Sequence, residues 1–125
     1  MRLNQVTVPA RDIAASVAFY KALGLKLIVD EAHYARFECQ DTDGGAPATF
    51  SVHLDSGTAG GAVVYFEEDD LDAVVARLAA AGMTIDGPAD QSWLWREARL
   101  TDPGGNQVCL YKAGEARRFP PWRVG

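Results

Sequence analysis

The residues best equipped for chemistry in this 125-residue chain are few, and the stretch SWLWREARL (92–100) holds four of them. Along an extended strand, side chains alternate between faces. Trp93, Trp95, Glu97 and Arg99 therefore share one face, and Leu94, Arg96, Ala98 and Leu100 share the other. Two indole rings two residues apart make a flat apolar wall, with a carboxylate and a guanidinium beyond it. Such a wall either fills a core beneath a helix or stacks a planar ligand whose polar groups Glu97 or Arg99 would fix. Glu97 is also the one carboxylate on these strands placed to act as a base.

The other reactive types are more isolated. In NQVCLYK, Cys109 shares a face with Gln107 and Tyr111 and reads as a buried thiol or a pocket wall. No His or Lys stands at a fixed spacing from it to lower its pKa, so nucleophilic chemistry is disfavoured. His53 lies on a strand face with Ser51, opposite Phe50, Val52 and Leu54, as either a structural or a ligand-binding ring. His33 begins a strand beside a loop and reads as exposed. The acidic run FEEDDLD (66–72) reads as helix capping, because carboxylates favour a helix N-terminus.

These residues are positioned by a pattern that occurs twice. Asn4–Leu27 resembles Ala62–Ile85 at a constant offset: Asp12 matches Asp70, Val17 matches Val75 and Gly24 matches Gly82, without a gap. Each copy reads as a β-branched strand, an acidic residue, an amphipathic helix and a Gly stop. The period of 3.6 predicts helices over about 13–23 and 71–81. Three short strands should follow each helix: KLIVD, HYARFEC and ATFSVHL in the first copy, and MTID, WLWREARL and NQVCLYK in the second. Turn stretches DTDGGAP (41–47) and DPGGN (102–106) separate them. The result is βαβββ twice, in an α+β domain spanning 1–125. Module one covers about 1–57, module two about 58–114, and an arm covers 115–125.

Composition narrows the function classes. The chain is 48% apolar with a net charge of −5, which disfavours nucleic acid, since phosphate binding needs clustered Lys and Arg. No run is apolar enough for a membrane span or a signal peptide, so the expected compartment is the cytoplasm. Two cysteines form no disulfide framework and match no zinc signature. The tail GEARRFPPWRVG carries Phe119 and Trp122, too much apolar surface for a free end. It reads as an arm docking over the chain's own pocket or onto a second subunit.

The doubled βαβββ pattern, with FYKALGL early and DPGGNQVCLY late, resembles the vicinal oxygen chelate superfamily over roughly residues 1–113. That group includes glyoxalase I, extradiol dioxygenases and bleomycin-resistance proteins. The resemblance implies a curved mixed sheet around a cavity, and commonly a homodimer. It also implies four metal-ligand slots, two per module. Gln5 stands in the first and His53 in the second. Val63, matching Gln5 in the repeat, stands in the third, where His is usual. Cys109 stands where a Glu is usual.

Val63 cannot ligate, and a Gln, His and Cys trio suits the family's hard divalent cations poorly. The expectation is therefore a protein without metal or other cofactor, binding a small molecule of planar or aromatic character much as bleomycin-resistance proteins do. The ligand-binding set comprises Gln5, His53, Trp93, Trp95, Glu97, Cys109 and Tyr111, and Arg36 can contribute from the first module. The alternative is a metal-dependent lyase, isomerase or dioxygenase of that superfamily, built on an atypical Gln5/His53/Cys109 site.

Overall fold

The computed structural model describes residues 3–40, 44–55 and 60–124. The turn read over 41–47 lies partly outside them, as does the module boundary read near 57. Two compact units are present: Met1–Gly61 with Asp102–Asn106, and Ala62–Thr101 with Gln107–Gly125. Among the described residues, no helix is long and apolar enough to cross a membrane.

The first unit contains β1 (Gln5–Ala10), α1 (Ile13–Ala22), β2 (Lys26–Glu31), β3 (Tyr34–Glu38) and β4 (Thr49–Leu54). Its sheet runs β1-β4-β3-β2, with β1 parallel to β4 and the remaining pairs antiparallel. Alternation buries Val8, Ala10, Ala35, Phe37, Phe50 and Val52 on one face, together with Ile13, Tyr20 and Leu23 from α1 and the residue after it. Tyr20 is the centre of this core, its ring 4.5 Å from Phe50 and 5.8 Å from Phe37. Asp12 caps α1 by accepting the Ala15 N–H at 3.0 Å.

Both helices end as the repeat predicts. Gly24 (φ +103°) follows α1, and its N–H bonds the Lys21 carbonyl while the Leu25 N–H bonds that of Tyr20. Gly82 (φ +92°) repeats the pair, with Gly82 N–H to Ala79 and Met83 N–H to Leu78. This is the Schellman arrangement, and it requires a left-handed residue that glycine supplies without a Cβ clash.

The DPGGN turn belongs to the first unit because of one buried carboxylate. Asp102 Oδ1 accepts the Gly104 and Asn106 N–H groups at 2.9 and 2.8 Å. Its Oδ2 accepts Tyr20 OH at 2.7 Å and Asn106 Nδ2 at 2.8 Å. Asn106 Nδ2 also donates to the Pro9 carbonyl at 2.7 Å. Burial first, and the Asp102 contact second, push the Tyr20 phenol far above its ordinary value.

The second unit contains β5 (Val63–Glu67), α2 (Leu71–Ala80), β6 (Asp86–Asp90), β7 (Arg96–Thr101), β8 (Gln107–Lys112) and a 3-10 turn at Gly114–Arg117. Its sheet order, β5-β8-β7-β6, and the parallel β5–β8 pair reproduce the first unit's topology. The α+β class and the two tandem βαβββ modules are thus as the sequence predicts.

Three local expectations need correcting. The strand read at MTID lies instead at DGPAD, because β6 is an edge strand and Pro88, which lacks an N–H, is tolerated there. The strand read at WLWREARL starts only at Arg96. The chain reverses through 91–95, with Gln91 N–H bonding the Trp95 carbonyl at 2.8 Å and Leu94 at φ +70°. The geometry of the β6–β7 reversal outweighs the strand propensity of the tryptophans. Finally, Asp70 sits at the α2 N-cap without a side-chain cap bond. Its neighbour Asp72 instead takes Arg96 Nε at 2.8 Å, and Glu67 accepts the Ala113 and Gly114 N–H groups at 2.9 and 3.2 Å.

Candidate functional site

In the second unit, strand pairing assembles an aromatic face on the side of the sheet away from Val108 and Leu110. Register places Tyr65, Cys109 and Arg99 in one row, and Glu67, Tyr111 and Glu97 in the next. The Trp95 ring stacks on Tyr111, centroids 4.7 Å apart and planes 25° from parallel. Tyr65 meets both edge-on, 6.0 Å from Trp95 and 5.6 Å from Tyr111. Edge-to-face and offset contacts of this kind satisfy the ring quadrupoles and hold the cluster in one geometry. Tyr65 stays 42% exposed and Trp93 41%, so the cluster reaches solvent.

Glu97 is the electrostatic anchor of this face, and only 4% of it is exposed. Its Oε2 accepts Trp93 Nε1 at 2.7 Å, and its Oε1 accepts Arg99 Nη2 at 2.8 Å. A buried carboxylate survives only with such partners. With both oxygens engaged, Glu97 positions Trp93 and Arg99 and is not a free base. Arg99 carries the exposed charge: its Cζ lies 5.6 Å from the Tyr65 ring centroid, and the side chain borders a cleft of ≈ 320 Å³. Asp86, Thr101 and Gln107 line that cleft with it.

Cys109 is fully buried in the middle of the same face. Burial, reinforced by the Glu97 charge, pushes its thiol up to about 12. In the metal-free chain it is therefore a neutral thiol at physiological pH, which disfavours nucleophilic chemistry.

The first unit's matching face is polar. Gln5 Nε2 donates to Ser51 Oγ at 2.7 Å and to Thr7 Oγ1 at 3.1 Å, and Thr49 Oγ1 donates to Gln5 Oε1. Tyr34 OH lies 2.6 Å from Ser51 Oγ, and Arg36 Nε donates to Tyr34 OH at 2.9 Å. Burial raises the Tyr34 phenol, but the bonds from Ser51 and Arg36 outweigh it and hold the group below its ordinary value.

Of the residues picked from sequence, the fold brings Trp93, Trp95, Glu97, Cys109 and Tyr111 together. It does not join Gln5 to His53. Gln5 lies opposite Thr49, whereas His53 lies opposite Pro9, exposed, its ring 6.3 Å from that of His33. In register, the first-unit counterpart of Cys109 is Ser51: Thr7 faces Ser51 as Tyr65 faces Cys109. Sequence reading missed Tyr65 and Tyr34. The signal for Tyr65 was its place two residues after Val63 on β5, on the face that alternation shares with Cys109.

A family model described as Glyoxalase/Bleomycin resistance protein/Dioxygenase superfamily matches residues 2–110. The chain belongs to that superfamily. Solved structures similar to this glyoxalase-superfamily chain include an antibiotic-binding protein from Streptomyces sp., 26% identical with a TM-score of 0.68, covering 91% of this chain and 97% of that one. A bleomycin-binding protein complexed with bleomycin is 22% identical, TM-score 0.71, covering 90% and 98%. A lactoylglutathione lyase from Agrobacterium tumefaciens is 19% identical, TM-score 0.76, covering 94% and 97%. Comparison with the curated proteins finds no match.

Each unit of this superfamily member fails the donor test for the divalent metal that the fold implies. In the first, the Gln5 amide is committed to Ser51 and Thr7, and Ser51 offers only a neutral hydroxyl. In the second, Val63 has no donor atom and Cys109 offers only a buried soft sulfur. A hard divalent cation needs carboxylate oxygens and imidazole nitrogens, and the residues present do not fit it.

Proposed function

We propose that this chain binds a small aromatic molecule on the aromatic face of its second unit, without the divalent metal of its enzymatic relatives. The Tyr65–Trp95–Tyr111 cluster carries the reading: it is prearranged by mutual ring contacts, braced by the Glu97–Arg99 pair, and open to solvent at Tyr65. Prearranged rings lose little conformational entropy on stacking a planar ligand. The similar Streptomyces protein is named for antibiotic binding and another similar structure holds bleomycin, which supports drug sequestration as the biological form of this activity.

The test is tryptophan fluorescence titration with bleomycin and with planar aromatic antibiotics. Saturable quenching is expected, weakened about tenfold in Trp95→Ala, the order of one lost ring contact. Absence of saturable quenching by every compound rejects the proposal. Elemental analysis addresses the metal: one divalent ion per chain, lost in His53→Ala, would replace this reading with the metal-dependent one. The same proposal has the protein acting as a homodimer in the cytoplasm, where its two unpaired cysteines stay reduced.

A further inference from the structure

The polar face of the first unit has a directionality that the aromatic site does not use. The Val6 carbonyl, which can only accept, lies 3.3 Å from Gln5 Nε2 and sets the amide with its nitrogen toward Ser51 and Thr7, while Thr49 donates to Oε1. Ser51 Oγ is sealed from solvent and already accepts from Gln5. Among the described residues its own proton has one acceptor within reach, Tyr34 OH. Any other assignment strands a buried hydroxyl proton, at a cost comparable to a lost hydrogen bond. Tyr34 oxygen thus accepts from Ser51 and from Arg36 Nε, and its own proton is left to donate outward.

Arg36 adds the charge. Arg96 and Arg99 each hold a carboxylate at 2.8 Å, but among the described residues no carboxylate lies within ion-pair distance of Arg36. It is exposed, its Cζ 5.4 Å from the Tyr34 ring centroid, with both Nη groups unpaired among the described residues. The nearest acid on its own strand face, Glu38, sits opposite Lys26. The outward phenol proton and the guanidinium Nη groups are donors side by side, and the carboxylate that register places opposite Tyr34, Glu31, lies 3.8 Å from the His33 ring nitrogen.

We infer that Tyr34 and Arg36 form a binding site for the carboxylate group of a small molecule, with Thr49, Gln5 and Ser51 as the relay that orients the phenol. A carboxylate supplies two acceptor oxygens and the charge that a guanidinium pairs with most strongly. The lowered pKa of Tyr34 agrees with an oxygen already receiving two hydrogen bonds.

The test uses non-aromatic probes, so that it reads this site and not the stacking face. Full-length protein carrying carbon-labelled tyrosine is titrated with cyclohexanecarboxylate, cyclohexanecarboxamide and cyclohexylmethylammonium. The Tyr34 ζ-carbon resonance is assigned by its loss in Tyr34→Phe. The carboxylate should shift that resonance saturably, and the amide and the ammonium should not. Arg36→Gln, an exposed change expected to leave the melting temperature in place, should weaken carboxylate binding about tenfold. The inference is overturned if the amide matches the carboxylate, if Arg36→Gln binds as tightly as the parent, or if no probe moves Tyr34. Because these probes cannot stack, such an outcome leaves the aromatic proposal standing.

Discussion

Single residues hold this molecule together through commitments that are expensive to break. Asp102 is the clearest: four donors converge on one buried carboxylate. Asp102→Ala leaves them unpaired in the interior, and urea denaturation should show a loss of about 3 kcal/mol. Ser16 is the opposite case. Its hydroxyl is buried in α1 with no hydrogen-bond partner among the described residues, so Ser16→Ala should raise stability by about 1 kcal/mol in the same assay.

Cys109 ties stability to pH. Its folded pKa is raised above that of the unfolded chain. Its contribution is therefore fully present below about pH 9 and is lost as pH climbs toward 12, because only the unfolded chain releases the proton there. Tyr20, raised as well, acts in the same direction at higher pH. Stability measured across pH 8–11 should fall, less steeply in Cys109→Ala, and native Cys109 should resist iodoacetamide at pH 8.

At the scale of elements, the two modules are built alike and functionalised differently. Each helix is closed by a left-handed glycine, and Gly24→Ala or Gly82→Ala should each cost about 1 kcal/mol by thermal melting. Such caps were legible in the sequence because they are local: a helical period followed by Gly suffices. The strands of the first module were legible for the same reason. Near Trp93 the local signal misleads, since aromatic residues favour strands while the reversal between β6 and β7 needs a turn there. The candidate site was half legible. Alternation correctly put Glu97 and Arg99 on one face, but the burial of Glu97 and its engagement by Trp93 depend on the turn. His53 stands opposite Pro9 and not beside Gln5; the signal for that rung was the repeat offset that pairs Asp12 with Asp70, which matches Cys109 to Ser51.

At the scale of the whole chain, the arm is the least settled piece of surface. Arg118 and Arg123 flank the Phe119 ring, with Cζ atoms 5.3 and 4.6 Å from its centroid, and Phe119 and Trp122 both remain 57% exposed. A basic, aromatic knob on a chain of net charge −5 suits docking on an acidic copy of itself. Deleting residues 115–125 should halve the mass measured by sedimentation or weaken ligand affinity. Unchanged mass with unchanged binding rejects a docking role.

The Tyr20–Asp102 bond also bears on how the protein is made. The two residues are 82 positions apart, and the earlier one sits in the core of the first unit. On a ribosome, most of the chain must emerge before that phenol meets its acceptor. The first half is therefore born as an incomplete body, exposed to proteases and chaperones until the final strand is translated. A chain ending at residue 61 should remain largely unfolded by circular dichroism, although it holds every helix and strand of its module.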